Sequence, residues 1–124
     1  MKRTGEPIEI RRGDILWIQC DPSLGVEPRK TRTCVVVSND ISNRYGAAVT
    51  VIPTQEYSAE RAARGYIVDL RSPRSNLDKP RVANASMVMT YDRGRVVSKA
   101  GRVAADAQKK IDAALALHLA LQQS

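Results

Sequence analysis

The densest run of side chains able to do chemistry is Arg29-Lys30-Thr31-Arg32. Guanidinium groups fork onto phosphate oxygens bidentately, whereas an ammonium acts as a point charge, so this run is suited to gripping phosphate. The acid–base repertoire is otherwise thin, with one histidine, His118, and two cysteines, Cys20 and Cys34. A lone histidine excludes a nuclease that needs one histidine as base and another as acid. Neither C-x-x-C nor H-E-x-x-H occurs, and one His with two Cys makes no recognisable zinc site, so no metal ligands and no cofactor are expected. His118 sits among leucines and reads as a packing residue. Cys20 and Cys34 flank one excursion of the chain and read as reduced, buried thiols.

The charge balance points the same way as the basic run. Lys and Arg total 20 against 13 Asp and Glu, a net charge of +7, and 14 of the cations are Arg. The surplus is one over residues 1–40, three over 41–81, three over 82–102 and zero over 103–124. An arginine-rich surface of this kind suits a nucleic acid or an acidic protein partner, and it also serves solubility. At 124 residues the chain fits one domain, burying roughly two-thirds of its unfolded surface. The expected organisation is a tail over 1–10 and one domain over 11–124. No apolar run approaches the roughly 20 residues of a membrane span. Met1 to Ile10 lacks the apolar h-region of a signal peptide. A cytoplasmic protein without a membrane partner is expected.

These residues need a scaffold. Ile15 to Cys20 reads as a strand, rich in β-branched and aromatic residues and bounded by Gly13-Asp14 and Asp21-Pro22. Asp21 to Arg32, with Pro22, Gly25 and Pro28, reads as an excursion. Cys34 to Ser38 reads as a strand buried on both faces, and Val49 to Ile52 as a third strand that Pro53 ends or places at an edge. Asn39-Asp40 and Asn43 to Gly46 read as a polar turn region. Ser58 to Arg64 suits a helical turn, Tyr66 to Leu70 a half-buried strand and Arg71 to Lys79 a loop. Arg81 to Thr90 and the shorter Arg95 to Lys99 read as further strands. From Ala104 to Gln122 alanine and leucine dominate, and the length exceeds an ordinary strand, so a helix is expected. Leucines on more than one side of its last two turns suggest that it packs against two surfaces, and a subunit interface is one way to supply the second. The sum is a mainly β fold of five or six strands with a C-terminal helix, which usually closes into a small barrel.

Four ordered motifs carry a resemblance. Arg12-Gly13-Asp14-Ile15-Leu16-Trp17, Asp21-Pro22-Ser23-Leu24-Gly25-Val26-Glu27, Lys30-Thr31-Arg32 and Val35-Val36-Val37-Ser38-Asn39-Asp40 resemble the MazF/PemK toxins of bacterial toxin–antitoxin modules. The likeness extends through Asp112-Ala113-Ala114-Leu115, covering roughly residues 11 to 121. It implies an SH3-like barrel of the MazF/PemK/CcdB type, a homodimer, and a metal-independent endoribonuclease. That activity cleaves single-stranded RNA, such as messenger RNA, through the RNA's own 2′-hydroxyl. The implied partners are RNA and an acidic, MazE-like antitoxin. Arg32 matches the catalytic arginine of the MazF branch and Thr54 its catalytic threonine. Arg29 and Lys30 would contact flanking phosphates.

The chain also departs from the pattern. The family's T-R-P is Thr31-Arg32-Thr33 here, and Pro53 and Thr54 are adjacent where one residue commonly intervenes. A one-residue shift turns a strand side chain to the other face, which makes Thr50 the alternative hydroxyl. The groove-lining Gln and Arg of many members become Met87 and Met89. The Kid-type acid–base pair falls on Asn84 and Ser86, which cannot transfer protons, leaving the Arg/Thr scheme. Ala104 replaces the usual polar helix cap, with Asp106 acting through the helix dipole. Two other readings share the fold. One is an antitoxin-binding protein with little or no nuclease activity. The other is a CcdB-like gyrase inhibitor, whose Trp-Gly-Ile C-terminus this chain lacks.

Overall fold

A computed structural model describes residues 8–121. Seven strands form one sheet: β1 (Asp14–Gln19), β2 (Thr31–Val36), β3 (Ala48–Glu56), β4 (Ile67–Asp69), β5 (Arg81–Asn84), β6 (Met89–Asp92) and β7 (Val96–Arg102). Three helices are α1 (Asp40–Tyr45), α2 (Ala59–Ala62) and α3 (Ala105–His118). Neighbouring strands run β4-β5-β3-β2-β1-β7, with β6 also on β3, and every pairing is antiparallel. β4 and β7 stand at the two ends of that path.

The continuous apolar runs of β1 and β2 follow from a core on both sides of the sheet. Ile15 pairs with Val35, and Val35 with Ile52. These three pack on one side with Ala107, Ile111 and Ala114 of α3. Their neighbours Leu16, Cys34, Val36 and Val51 turn to the other side, where Ile10, Tyr91 and Val96 close over them. Strand alternation thus fills two clusters with a single run.

The Arg12-Gly13-Asp14 opening fastens the helix to the sheet. Arg12 donates from Nε to the Val37 carbonyl (3.0 Å) and from Nη2 to Asp112 of α3 (2.7 Å). Asp14, only 4% exposed, receives Arg102 at 2.6 Å and Lys99 at 3.2 Å. Gly13 lies between them at φ +93°, and a Cβ there would meet the Gln108 side chain at 2.9 Å.

Several elements differ from the sequence expectation. β3 does not stop at Pro53 but runs on to Glu56. Pro53 sits where the strand's other edge changes partner, between the β6 register ending at Val51 and the β5 register beginning at Thr54. A missing N–H is tolerated at such a break. The polar stretch after Ser38 is a helix, α1, because Asn39 caps it by accepting the Ser42 N–H (2.8 Å). Arg81 to Thr90 is two strands, broken at Ala85–Met87 where Asn84 caps a single 3₁₀ turn. A further 3₁₀ turn, Pro73–Ser75, lies in the Arg71 to Lys79 loop, and β7 extends beyond Lys99 to Arg102. α3 ends at His118, which is exposed rather than packed, and Leu117, Leu119 and Leu121 are also exposed. Among the described residues no helix is long and apolar enough to cross a membrane.

Cys20 and Cys34 are free and buried. Cys34 pairs with Leu16, while the Cys20 N–H meets the Lys30 carbonyl (2.6 Å), so the two cysteines are out of step along their strands. The Cys20 thiol donates to the Ile18 carbonyl and Cys34 to that of Arg32. Interaction between the two sulfurs draws Cys20 down to about 6 and pushes Cys34 up, with burial adding to the rise at Cys34.

Ile111 is fully buried beneath the sheet, and Ile111→Ala is expected to cost about 2–5 kcal/mol. A Cβ on Gly101 would lie 2.2 Å from the Ser75 carbonyl oxygen, and Gly101→Ala is expected to cost about 1–3 kcal/mol. Urea unfolding checks both, through a lowered midpoint at an unchanged slope.

Candidate functional site

The excursion between β1 and β2 and the end of β3 line an open cavity of about 200 Å³. Arg29 and Arg32 line it from one side, Pro53, Thr54 and Gln55 from β3, and Met87 from the turn after β5. A larger hollow of about 500 Å³ lies by Ile8 and α1. Its Arg93 already donates to the carbonyls of Ile8 and Asn43, so it is less available to a ligand.

Arg32 is half-buried, and its Nε donates to the Arg29 carbonyl at 3.3 Å. Among the described residues neither Arg29 nor Arg32 pairs with a carboxylate, unlike Arg12, Arg71, Arg81 and Arg102. Two unpaired guanidiniums at one cavity make an anion site. Glu27 is the carboxylate lining the same cavity, and its Oε1 accepts the Leu24 N–H (2.8 Å). Lys30 does not line it. Its backbone turns through φ +61° to give its carbonyl to Cys20, and its side chain is exposed.

Thr54 lines the cavity, yet its hydroxyl is engaged. Thr54 Oγ1 lies 2.6 Å from Thr33 Oγ1, with both residues at most 2% exposed. Thr33 stands where the family motif carries proline. Because these two side chains face one another, strand alternation turns their neighbours Arg32 and Gln55 to the opposite side. Thr50, the alternative hydroxyl, bonds Thr90 at 2.8 Å on the β6 side of β3 and does not line the cavity.

The two methionines separate. Met87 faces the cavity, whereas Met89 packs on the second core cluster, where its Sδ accepts the Tyr91 hydroxyl (3.3 Å). Asn84 and Ser86 bond each other, Asn84 Oδ1 accepting the Ser86 N–H (3.0 Å) and hydroxyl (2.6 Å). Sequence reasoning passed over Thr33, Glu27 and Gln55 as site residues. Glu27 and Thr33 lay in quoted motifs, Thr33 as a departure from T-R-P, and Gln55 is identified by what it meets across the sheet. Among the described residues no three His, Cys, Asp or Glu side chains converge at metal-binding range.

An antiparallel sheet with a C-terminal helix, and a pocket whose Arg29 and Arg32 have no carboxylate partner among the described residues, define a small β protein with a pocket suited to an anion. The chain belongs to the PemK-like, MazF-like toxins of type II toxin–antitoxin systems, whose family profile matches residues 11–119. It is 34% identical over 117 residues to endoribonuclease MazF9 of Mycobacterium tuberculosis, covering 90% of this chain and 98% of that protein. Endoribonuclease EndoA of Bacillus subtilis is 28% identical over 114 residues, covering 90% and 96%. A mycobacterial endoribonuclease solved in complex with its cognate antitoxin shares the fold, with a TM-score of 0.74 at 23% identity over 93% of this chain and 99% of that one.

Thr33→Val or Thr54→Val alone leaves one buried hydroxyl without its partner, which is expected to cost about 1–3 kcal/mol. The double variant is expected to cost less than the sum of the two, a coupling of about 1 kcal/mol by urea unfolding.

Proposed function

We propose that this toxin-family chain cleaves single-stranded RNA without a metal ion, by attack of the RNA's own 2′-hydroxyl on the adjacent phosphorus. The observation that carries the reading is the cavity where Arg32, with no carboxylate partner among the described residues, meets Arg29 and Thr54. As the 2′-oxygen bonds to phosphorus, charge builds on the non-bridging oxygens, and the bond to the 5′-oxygen breaks; that oxygen takes a proton from water, leaving a cyclic phosphate and a 5′-hydroxyl. A fixed guanidinium aimed at that charge contributes about 3 kcal/mol in a water-poor pocket.

An arginine guanidinium does not give up its proton in a protein, so Arg32 stabilises charge and does not act as base. Glu27 is the acceptor available for the 2′-hydroxyl proton. Thr33 and Thr54 bring two hydroxyl protons and use one between them. Presenting the second proton to a phosphate oxygen requires Thr54 to turn away from Thr33 toward the Arg32 side. Arg29 at the rim and Lys30 beside it hold flanking phosphates.

The likeness to the antitoxin-bound mycobacterial structure supports an acidic MazE-like antitoxin competing for this basic surface. It also supports the family's SH3-like barrel, and the exposed leucines at the end of α3 support a homodimer. Such a module acts in the cytoplasm. A second reading, antitoxin binding with little cleavage, is favoured by the burial of Thr54 at 2% exposure.

Purified protein is expected to cut single-stranded RNA in EDTA, with Arg32→Ala lowering kcat at least a hundredfold. Glu27→Gln is expected to lower kcat with KM little changed. Cleavage that stops on chelation overturns the metal-free scheme, and tight antitoxin binding without any cutting selects the second reading. Arg29→Ala and Lys30→Ala are each expected to reduce the slope of log affinity against log salt by about 0.7, measured on a non-cleavable RNA.

A further inference from the structure

Gln55 lies in the wall between two hollows. One is the Arg32 cavity, and the other, of about 240 Å³, is lined by Gln55, Glu60, Arg61, Arg64, Tyr66 and Asn84, with Arg61 Nη1 donating to the Glu56 carbonyl (2.7 Å). Arg61 and Arg64 are exposed, Tyr66 is half-buried, and Arg64 Nη1 donates to the Tyr66 hydroxyl at 3.3 Å. An aromatic ring beside guanidinium groups is a platform for a stacked base and its phosphate.

The amide of Gln55 has a fixed sense, and its cause can be traced. The Ser86 backbone N–H can only donate, so the Asn84 atom it meets at 3.0 Å is the carbonyl oxygen. The other end of Asn84 is therefore its NH₂, which in turn can only donate. Asn84 Nδ2 donates to Gln55 Oε1 at 3.4 Å. That leaves the Gln55 NH₂ as the outward end, and among the described residues it meets no protein acceptor.

We infer that Gln55 is a base-reading residue, held by Asn84 and Ser86 so that its NH₂ donates to the nucleotide lying between the scissile pocket and the Arg61–Arg64–Tyr66 subsite. The inference rests on the RNA-cleavage reading. A donor at that point accepts a base edge carrying a carbonyl oxygen, as in uracil and guanine. The contrast lies at one position of the base: O4 of uracil and O6 of guanine receive the donor, whereas the amino groups N4 of cytosine and N6 of adenine meet it as a second donor. Met87, on the floor of the first cavity, supplies apolar contact to the base without competing for its edge.

Two variants test the sense of the amide. Gln55→Glu keeps the acceptor for Asn84 and replaces the outward donor by an acceptor. Asn84→Asp keeps the acceptor for Ser86 but presents a carboxylate oxygen to Gln55, which must then rotate its NH₂ inward and its carbonyl outward. A single-stranded RNA pool with a randomised segment is cut in EDTA, and the new 5′-hydroxyl ends are sequenced. The same pool is bound to immobilised protein, and the retained RNA is sequenced.

The parent is expected to favour uracil or guanine over cytosine or adenine at one position by about tenfold, the discrimination one placed donor gives. Both variants are expected to reverse that preference at the same position, and Gln55→Ala to flatten it. An unchanged base pattern in folded Gln55→Ala, or reversal by Gln55→Glu with no effect of folded Asn84→Asp, overturns the inference. If the parent cuts nothing, the cleavage reading fails, while the retained RNA still reports whether Gln55 selects a base.

Discussion

One strand carries the architecture of the site. β3 bonds β2 along one edge and, on its other edge, first β6 and then β5. The change of partner falls at Pro53, the residue that can give up a ladder bond. It lets the last residues of β3 leave the β2–β6 region and run beside β5. Thr54 and Gln55 thereby meet groups from three elements: Thr33 on β2, Asn84 at the end of β5 and Met87 on the turn beyond it. A strand that stopped at Ile52 would keep the second core cluster but would bring none of these groups to Arg32.

The arginines divide between holding the fold and remaining available. Arg12, Arg81 and Arg102 are engaged with Asp112, Asp78 and Asp14, while Arg93 and Arg95 donate to backbone carbonyls. Arg71 pairs with Asp69, whose carboxyl is held below its usual range by that guanidinium, and lies over the Tyr57 ring. The basic run after Pro28 has no such carboxylate partners among the described residues. The attraction for an anion therefore comes from position rather than from total charge.

Much of this was legible in the sequence wherever one local pattern had one structural consequence. The runs Ile15 to Ile18 and Cys34 to Val37 are apolar at every step because both faces are covered. The Ala/Leu tail forms a helix because the helix preference of alanine and leucine outweighs the strict alternation of Leu115, Leu117, Leu119 and Leu121. Motif order placed Arg32 at the start of β2. The misreadings share a cause, which is that a single side chain acts on the backbone a few residues away. Asn39 turns a polar stretch into α1, and Asn84 breaks an apparent strand in two. Thr33 and Gln55 were not recognisable as site residues because their hydrogen-bond partners lie more than 20 residues distant, at Thr54 and Asn84. Pro53 misled because its tolerance depends on the neighbours of β3, not on the residues beside it.

Thr33 also changes how the chain beside Arg32 is held. A proline, which the family motif carries there, restrains the backbone covalently and does so whether or not β3 is in place. The threonine hydroxyl restrains it only through contact with Thr54. Stiffness at the arginine thus becomes a cooperative property of two strands, present when they are paired and absent when β3 lifts away. Local opening of β3 and loosening of Arg32 become one event, which amide exchange would register as a single opening unit spanning both strands.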